Sequence, residues 1–209
     1  AYETALIEWS RSGMRRFVVV GHKAASSGNF KLEDMAGGAG RLDILIRCIN
    51  SAFFLSHSIR KDAEIYLVML GGEDAPKTVR IVGSEVKYLN PDERSTGALV
   101  RNALMMDVED REMRSSPGIY VSRDSFYDVI NRLSARSKIV YLRENGVDVQ
   151  KAEFPEDVTF VLSDNQDLTS QEDDTLCSLN PAICSLGPYS YHADHCIIII
   201  NNELDRRGV

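Results

Sequence analysis

The sequence predicts an α/β fold with a mainly parallel sheet, and three observations carry that reading. Short apolar, β-branched runs recur at residues 16–21, 63–70, 78–82, 138–142 and 158–162. Segments with apolar residues at helical spacing lie between many of them, most clearly over 42–58. Apolar residues make up 44% of the 209 and charged residues 26%, the balance of a globular chain able to bury a sizeable core.

The same composition narrows function. No apolar run approaches the ~20 residues of a membrane helix and no leader pattern opens the chain, so a cytoplasmic protein with no membrane partner is expected. The net charge of −7, taken alone, argues against nucleic acid. A local patch escapes that argument: Arg15, Arg16, Arg60, Lys61, Lys77 and Arg80 could gather on one face. Among the four cysteines, Cys48, Cys177, Cys184 and Cys196, none forms a C-x-x-C pair, and no metal site is expected. Cys177 and Cys184 could form a disulfide or simply be buried.

Residues 1–13 read as an upstream extension or an expression remnant, leaving 14–209 as a single domain. Arg-Phe-Val-Val-Val-Gly at 16–21 is a buried strand closed by glycine. The stretch 22–40 reads as a flexible loop. Its Gly37-Gly38-Ala39-Gly40 cluster lacks both the G-x-G-x-x-G spacing and a Walker lysine, which weighs against a nucleotide hydrolase. Over 42–58 the residues Leu42, Leu45, Ile46, Ile49, Ala52 and Phe53 form one apolar stripe, with Cys48 and Asn50 off it. Arg60-Lys61-Asp62 then enters a second strand at 63–70, a third follows at 78–82, and Asn90-Pro91 turns into a helix with Ser95 or Thr96 as N-cap.

Residues 117–122 are strand-like and 126–133 helical, before two further strands at 138–142 and 158–162. An acidic helix over 171–179 stops at Asn180-Pro181, and a last short strand at 182–186 is broken by Gly187-Pro188. In parallel sheets ligands sit beyond the carboxyl ends of strands, so the loops after Leu142, Leu162 and Leu186 are the candidate site walls. Ile197 to Ile200 is strand by propensity; with no polar face it must be buried all round, in the core or against a second subunit.

The densest chemistry lies at Ser-Leu-Gly-Pro-Tyr-Ser-Tyr-His-Ala-Asp-His-Cys, residues 185–196, set against that Ile run. Residues 185–204, with Phe-Val-Leu-Ser-Asp at 160–164 and Arg60-Lys61-Asp62, resemble the archaeal tRNA pseudouridine-54 N1-methyltransferases of the SPOUT class. The resemblance spans 14–209 and rests on the order and spacing of blocks. It implies a trefoil-knotted domain with the knot over about 158–209, and a C-terminal helix where propensity says strand. It also implies S-adenosyl-L-methionine as cofactor, S-adenosyl-L-homocysteine as product, the tRNA T-arm as partner, and a homodimer with sites at the subunit interface.

By the same resemblance, Leu142, Leu162, Ser163, Asp164, Leu186, Gly187, Pro188 and Cys196 hold the cofactor. Arg60 and Asp62 contact RNA, where the residues alone would equally read as a solvated turn; Arg94, at a loop edge, would suit an RNA phosphate or be an ordinary surface arginine, and Asp62 and Cys196 are the catalytic candidates. Asp62 would orient the base or accept its proton. Cys196 has two readings, contact with the methionine part of the cofactor or thiolate chemistry; a Cys beside an Ile run is more often a small buried hydrophobe. His192 and His195 share a helical face but have no third ligand in view, so they read as polar lining. Two rival readings keep the fold: a methyltransferase acting on a ribosomal pseudouridine, and an inactive RNA-binding protein.

Overall fold

A computed structural model describes residues 13–209. The expected N-terminal extension therefore lies, but for Gly13, outside the described residues. Within them the strands β1 (Met14–Ala25), β2 (Ala63–Gly71), β3 (Lys77–Val82), β4 (Met113–Ser116), β5 (Ile119–Ser122), β6 (Lys138–Asp148), β7 (Asp157–Ser163) and β8 (Ala182–Ser185) form one sheet ordered β4-β5-β3-β2-β1-β7-β6-β8. The helices are α1 (Leu42–Phe53), α2 (Glu93–Leu104), α3 (Phe126–Ser134), α4 (Ser170–Ser178) and α5 (Ala193–Arg207), with a short 3-10 turn at Leu32–Asp34.

The sheet is mixed. Strands β2, β1, β7, β6 and β8 run parallel, whereas β3, β5 and β4 attach through antiparallel pairs. The reason is connection length: the chain between β2 and β3 is too short for a crossover and must turn back as a hairpin.

Alternation along β1 shows how sequence makes three layers. Phe17 and Val19 join the core under α1, α2 and α5, while Val18 and Val20 join the core under α3 and α4. Phe17 stacks on Phe160 of β7 at 5.9 Å between ring centroids, tying the central pair of strands together. α1 packs against α5 on the first face, which fixes the C-terminal helix over the parallel half of the sheet.

Several expectations need correction. The stripe over 42–58 is helical only to Phe53, where Phe54 takes an extended conformation, and Cys48 is fully buried with the stripe. The N-cap of α2 is Asp92, which accepts from the Ser95 amide at 2.8 Å; a carboxylate there serves the orphan N–H groups better than the hydroxyls that follow. Cys177 and Cys184 are free thiols, one exposed and one buried.

The basic residues do not gather on an exposed face either. Arg15, Arg16 and Lys77 are buried, because each is drawn into pairing near the ends of its strand. Arg16 donates to Glu64 at 2.7 Å and also meets Asp157; Arg80 meets Glu64 at 2.8 Å; Lys77 pairs with Asp74 at 2.5 Å and donates to the Leu104 carbonyl at 3.0 Å. Buried charges persist only when paired in this way.

The Ile run lies inside α5. Ile197 and Ile200 are buried with Ala193, Asn201 and Leu204, a helical spacing that overrides β propensity. Ile198, however, is 50% exposed, so the run is not buried all round within one chain.

Candidate functional site

The ends of β6, β7 and β8 and the start of α5 enclose a cavity of about 590 Å³. That size lies within the ~300–1,000 Å³ typical of small-molecule sites. Leu142, Leu162, Ser163, Asp164, Leu186, Gly187 and Cys196 all line it; Pro188 falls between two lining residues without lining it itself. Arg60, Asp62 and Arg94 are not among its walls.

The local geometry explains each wall. At the β8 wall, Ser185 Oγ donates to the Gly187 carbonyl and accepts from the Gly187 amide, both at 3.1 Å, which closes a tight turn. Gly187 has φ +132°, a conformation side-chain-bearing residues rarely adopt, so this wall requires glycine for its backbone. At the β7 wall the Asp164 carboxylate accepts from the Gln166 amide at 3.0 Å, and Ser163 Oγ donates to the Gln166 carbonyl. The turn thereby presents main chain at the strand end.

The β6 wall depends on a bulge. Leu142 and Val147 both pair with Cys184, so the residues between them loop out and bring Arg143 and Glu144 to the cavity. A Cβ at Gly146 would lie 2.7 Å from the Cys184 backbone, which is why glycine stands where the chain returns to the sheet. By its apolar run alone this strand ends at Leu142; the lone Gly146 is the signal in the sequence that it continues past a bulge.

Sequence reasoning also missed the aromatic and acidic parts of the site. Tyr141, Tyr189 and Tyr191 line the cavity, Tyr189 being 72% exposed at its mouth. Tyr141 donates to Asp173 at 2.6 Å; burial first, then that bond, raises its phenol well above the usual range and keeps it protonated. Glu144, Asp167, Asp173 and Asp174 contribute carboxylates, against Arg143 as the cationic side chain of the lining, while the Asp164 carboxylate is turned inward onto His22. Such a lining suits a ligand carrying positive charge and repels a polyphosphate.

Cys196, half-buried, has its thiol raised to about 11 by burial and then by Asp194, so it is neutral near pH 7. That favours contact over thiolate chemistry. His192 and His195 face each other at 5.3 Å between ring centroids. No group of three possible metal ligands is assembled among the described residues.

The other candidates sit elsewhere. Arg60 and Asp62 precede β2, at the amino ends of the parallel strands and opposite the cavity. Arg60 grips Asp205 through two bonds of 2.7 Å, and Arg15 meets Asp62 at 3.3 Å and Asp205 at 3.0 Å. α5 spans the gap between these places: Ala193 and Cys196 at its start line the cavity, and Asp205 near its end joins the charge cluster. At 1.5 Å per residue that helix is about 22 Å long. Arg94 is 67% exposed and paired with Glu33 at 2.6 Å.

Residues 14–209 match, as a whole, the family model described as SAM-dependent RNA methyltransferase. The chain belongs to this family. The family's cofactor, S-adenosyl-L-methionine, carries a sulfonium cation and an adenosine, groups that acidic walls and leucines at strand ends could hold. A relative from Methanocella arvoryzae, named tRNA (pseudouridine(54)-N(1))-methyltransferase, is 46% identical over 195 residues, 93% of this chain and all of its own. One of the same name from Haloferax volcanii is 46% identical over 202 residues, covering 93% of this chain and 98% of its own. Among solved structures, Archaeoglobus fulgidus Nep1 bound to S-adenosylhomocysteine superposes with a TM-score of 0.61 at 14% identity, over 93% of this chain and 98% of that one. That likeness shows a shared fold.

Proposed function

We propose that the chain methylates N1 of pseudouridine 54 in the T-loop of tRNA, working as a homodimer. The observation that carries this reading is the acidic, leucine-walled cavity at the strand ends, in a chain 46% identical along its length to enzymes named for that reaction.

The chemistry asks little covalent help of the protein. S-adenosyl-L-methionine supplies a methyl already activated on a sulfonium. Leu142, Leu162 and Leu186 would flank the adenine, and the turns at Ser163–Asp164 and Gly187–Pro188 would meet it with main-chain groups. Cys196 would pack against the methionine part as a neutral thiol. The remaining task is to hold the acceptor nitrogen close and aligned, and to accept the proton that N1 of pseudouridine carries.

Asp62 is our candidate for that last role, with Arg60 and Arg94 on RNA. Within one chain Asp62 lies at the wrong end of the sheet. A two-fold axis passing near Ile198 resolves this. It would set the start of one α5 beside the end of the other, bringing Arg60 and Asp62 of one copy toward the cavity of its mate, and it would cover the exposed Ile198. We further propose that residues from about 158 onward form a trefoil knot; the insertion of β7 between β1 and β6 supports that topology. A tRNA substrate supports a cytoplasmic location; among the described residues no helix is long and apolar enough to cross a membrane.

The test is nucleoside analysis by mass spectrometry of tRNA carrying pseudouridine at position 54, after incubation with the protein and S-adenosyl-L-methionine. N1-methylpseudouridine should form at that nucleotide. A tRNA left unmodified by protein that binds the cofactor would refute the substrate.

A further inference from the structure

Behind the β7 wall of the cavity lies a side chain that does not itself line it. His22, near the carboxyl end of β1, reaches two elements. Its main-chain amide donates to Asp164 Oδ2 at 3.0 Å, Nδ1 stands 3.2 Å from Asp164 Oδ1, and Nε2 stands 2.6 Å from Glu172 Oε1. All three side chains are nearly closed to solvent: 10% exposed for His22, 1% for Asp164 and 6% for Glu172.

We propose that His22 is a positioning residue for the cofactor site, a charged bolt that joins β1 to Asp164 and Glu172 and holds the wall between β7 and α4 in its binding shape. The assignment rests on reading this cavity as the S-adenosyl-L-methionine site. What hangs from the bolt is that whole wall: Asp164 opens it, Glu172 sits in the first turn of α4, and Gln166, Leu168, Asp173 and Asp174 line the cavity around them.

The charge is needed for the geometry. Two buried carboxylates flank the ring, and only imidazolium can donate to both; neutral imidazole has one N–H and leaves one carboxylate with its main-chain donors but no ring donor. Each carboxylate also holds local backbone, Asp164 through the Gln166 amide and Glu172 through the Thr169 amide at 2.9 Å in a reciprocal cap. A lost bolt therefore loosens both the turn and the helix start.

The groups facing this cluster are few. From β7 the Ser163 hydroxyl lies 3.4 Å from Nδ1. From the side of α1, the Arg41 guanidinium and the Cys48 thiol feel the charge of Asp164, and burial keeps that thiol neutral. Hydrogen bonding to Asp164, opposed by burial and supported by Glu172, raises His22 to about 9. Since the folded value lies above the ordinary 6.5, the contribution is complete below that pH and is lost as pH rises through about 9.

The test is calorimetric titration of the full chain with S-adenosyl-L-homocysteine from about pH 6 to about pH 10, alongside His22→Gln and Glu172→Gln. Wild-type affinity should hold to about pH 8 and fall roughly tenfold through pH 9. His22→Gln should bind about tenfold more weakly near pH 7 and keep only the fall that the ligand's own α-amino group causes, and its KM for S-adenosyl-L-methionine should rise far more than kcat drops. Glu172→Gln keeps the reciprocal cap and removes one carboxylate, so the fall should move to lower pH; this variant decides the matter if His22→Gln does not fold. A folded His22→Gln with wild-type affinity and pH profile overturns the assignment alone. A wild-type chain that binds no S-adenosyl-L-homocysteine at any pH overturns the cofactor reading, and this assignment with it.

Discussion

Replacing Gly187 with valine tests how the β8 wall works. At φ +132° a β-branched residue is strained by ~1–3 kcal/mol. An added Cβ meets nothing closer than Tyr191 Oη at 3.6 Å, so at that atom the penalty lies in the backbone and not in a clash. Relief requires the turn to change shape, which breaks the two bonds to Ser185 Oγ, each contributing ~0.5–1.5 kcal/mol. The two losses are alternatives in part, since a relaxed turn sheds the strain. About 2–3 kcal/mol is therefore expected in cofactor binding, or roughly 30- to 150-fold in Kd. Calorimetry with S-adenosyl-L-homocysteine reads that loss. Circular dichroism should report an intact fold, because the turn lies outside both cores. Binding within threefold of wild type by a folded Gly187→Val would refute the claim that this turn shapes the site.

Other substitutions separate the remaining roles. Asp62→Ala should lower kcat by about 10²-fold or more while leaving cofactor affinity nearly unchanged; loss of cofactor binding in that variant would sink the division of labour between the two ends of the sheet. Cys196→Ala should keep activity within about tenfold, since the thiol is raised to about 11 and serves by packing; single-turnover kinetics would contradict this by showing complete loss of chemistry with the cofactor still bound. Ile198→Asp places a charge where the two-fold contact is drawn, so sedimentation should show monomers and transfer should fail; an active monomer would refute the shared site.

Much of this was legible in the residues. The run at 16–21 reads as a buried strand because both of its faces are apolar, and β1 indeed lies within the sheet with one core on each side. The loops after Leu142, Leu162 and Leu186 come together because β6, β7 and β8 are parallel neighbours, which alternating strands and helices foretell. The Ile run shows where local propensity stops being informative. Four β-branched residues say strand, yet burial at 193, 197, 200, 201 and 204 repays a helix.

Other features carry no local signal. β4, Met-Arg-Ser-Ser, has neither alternation nor β-branched residues and exists by pairing with β5. The looped-out Arg143 and Glu144 depend on a register shift, and the buried ion pairs of Arg16 and Lys77 depend on neighbours distant in sequence or on fold-level burial. His22 sits in what reads as a loop. Its partners are 142 and 150 residues away, beyond the reach of any window along the chain.

The central claim is tested most directly by methyl transfer from radiolabelled S-adenosyl-L-methionine to two short T-arm RNAs that differ only at the target nucleotide, uridine in one and pseudouridine in the other. The account predicts label on the pseudouridine RNA alone, since only that base offers a free N1–H. Label on both RNAs, or on neither while the cofactor binds, would contradict it.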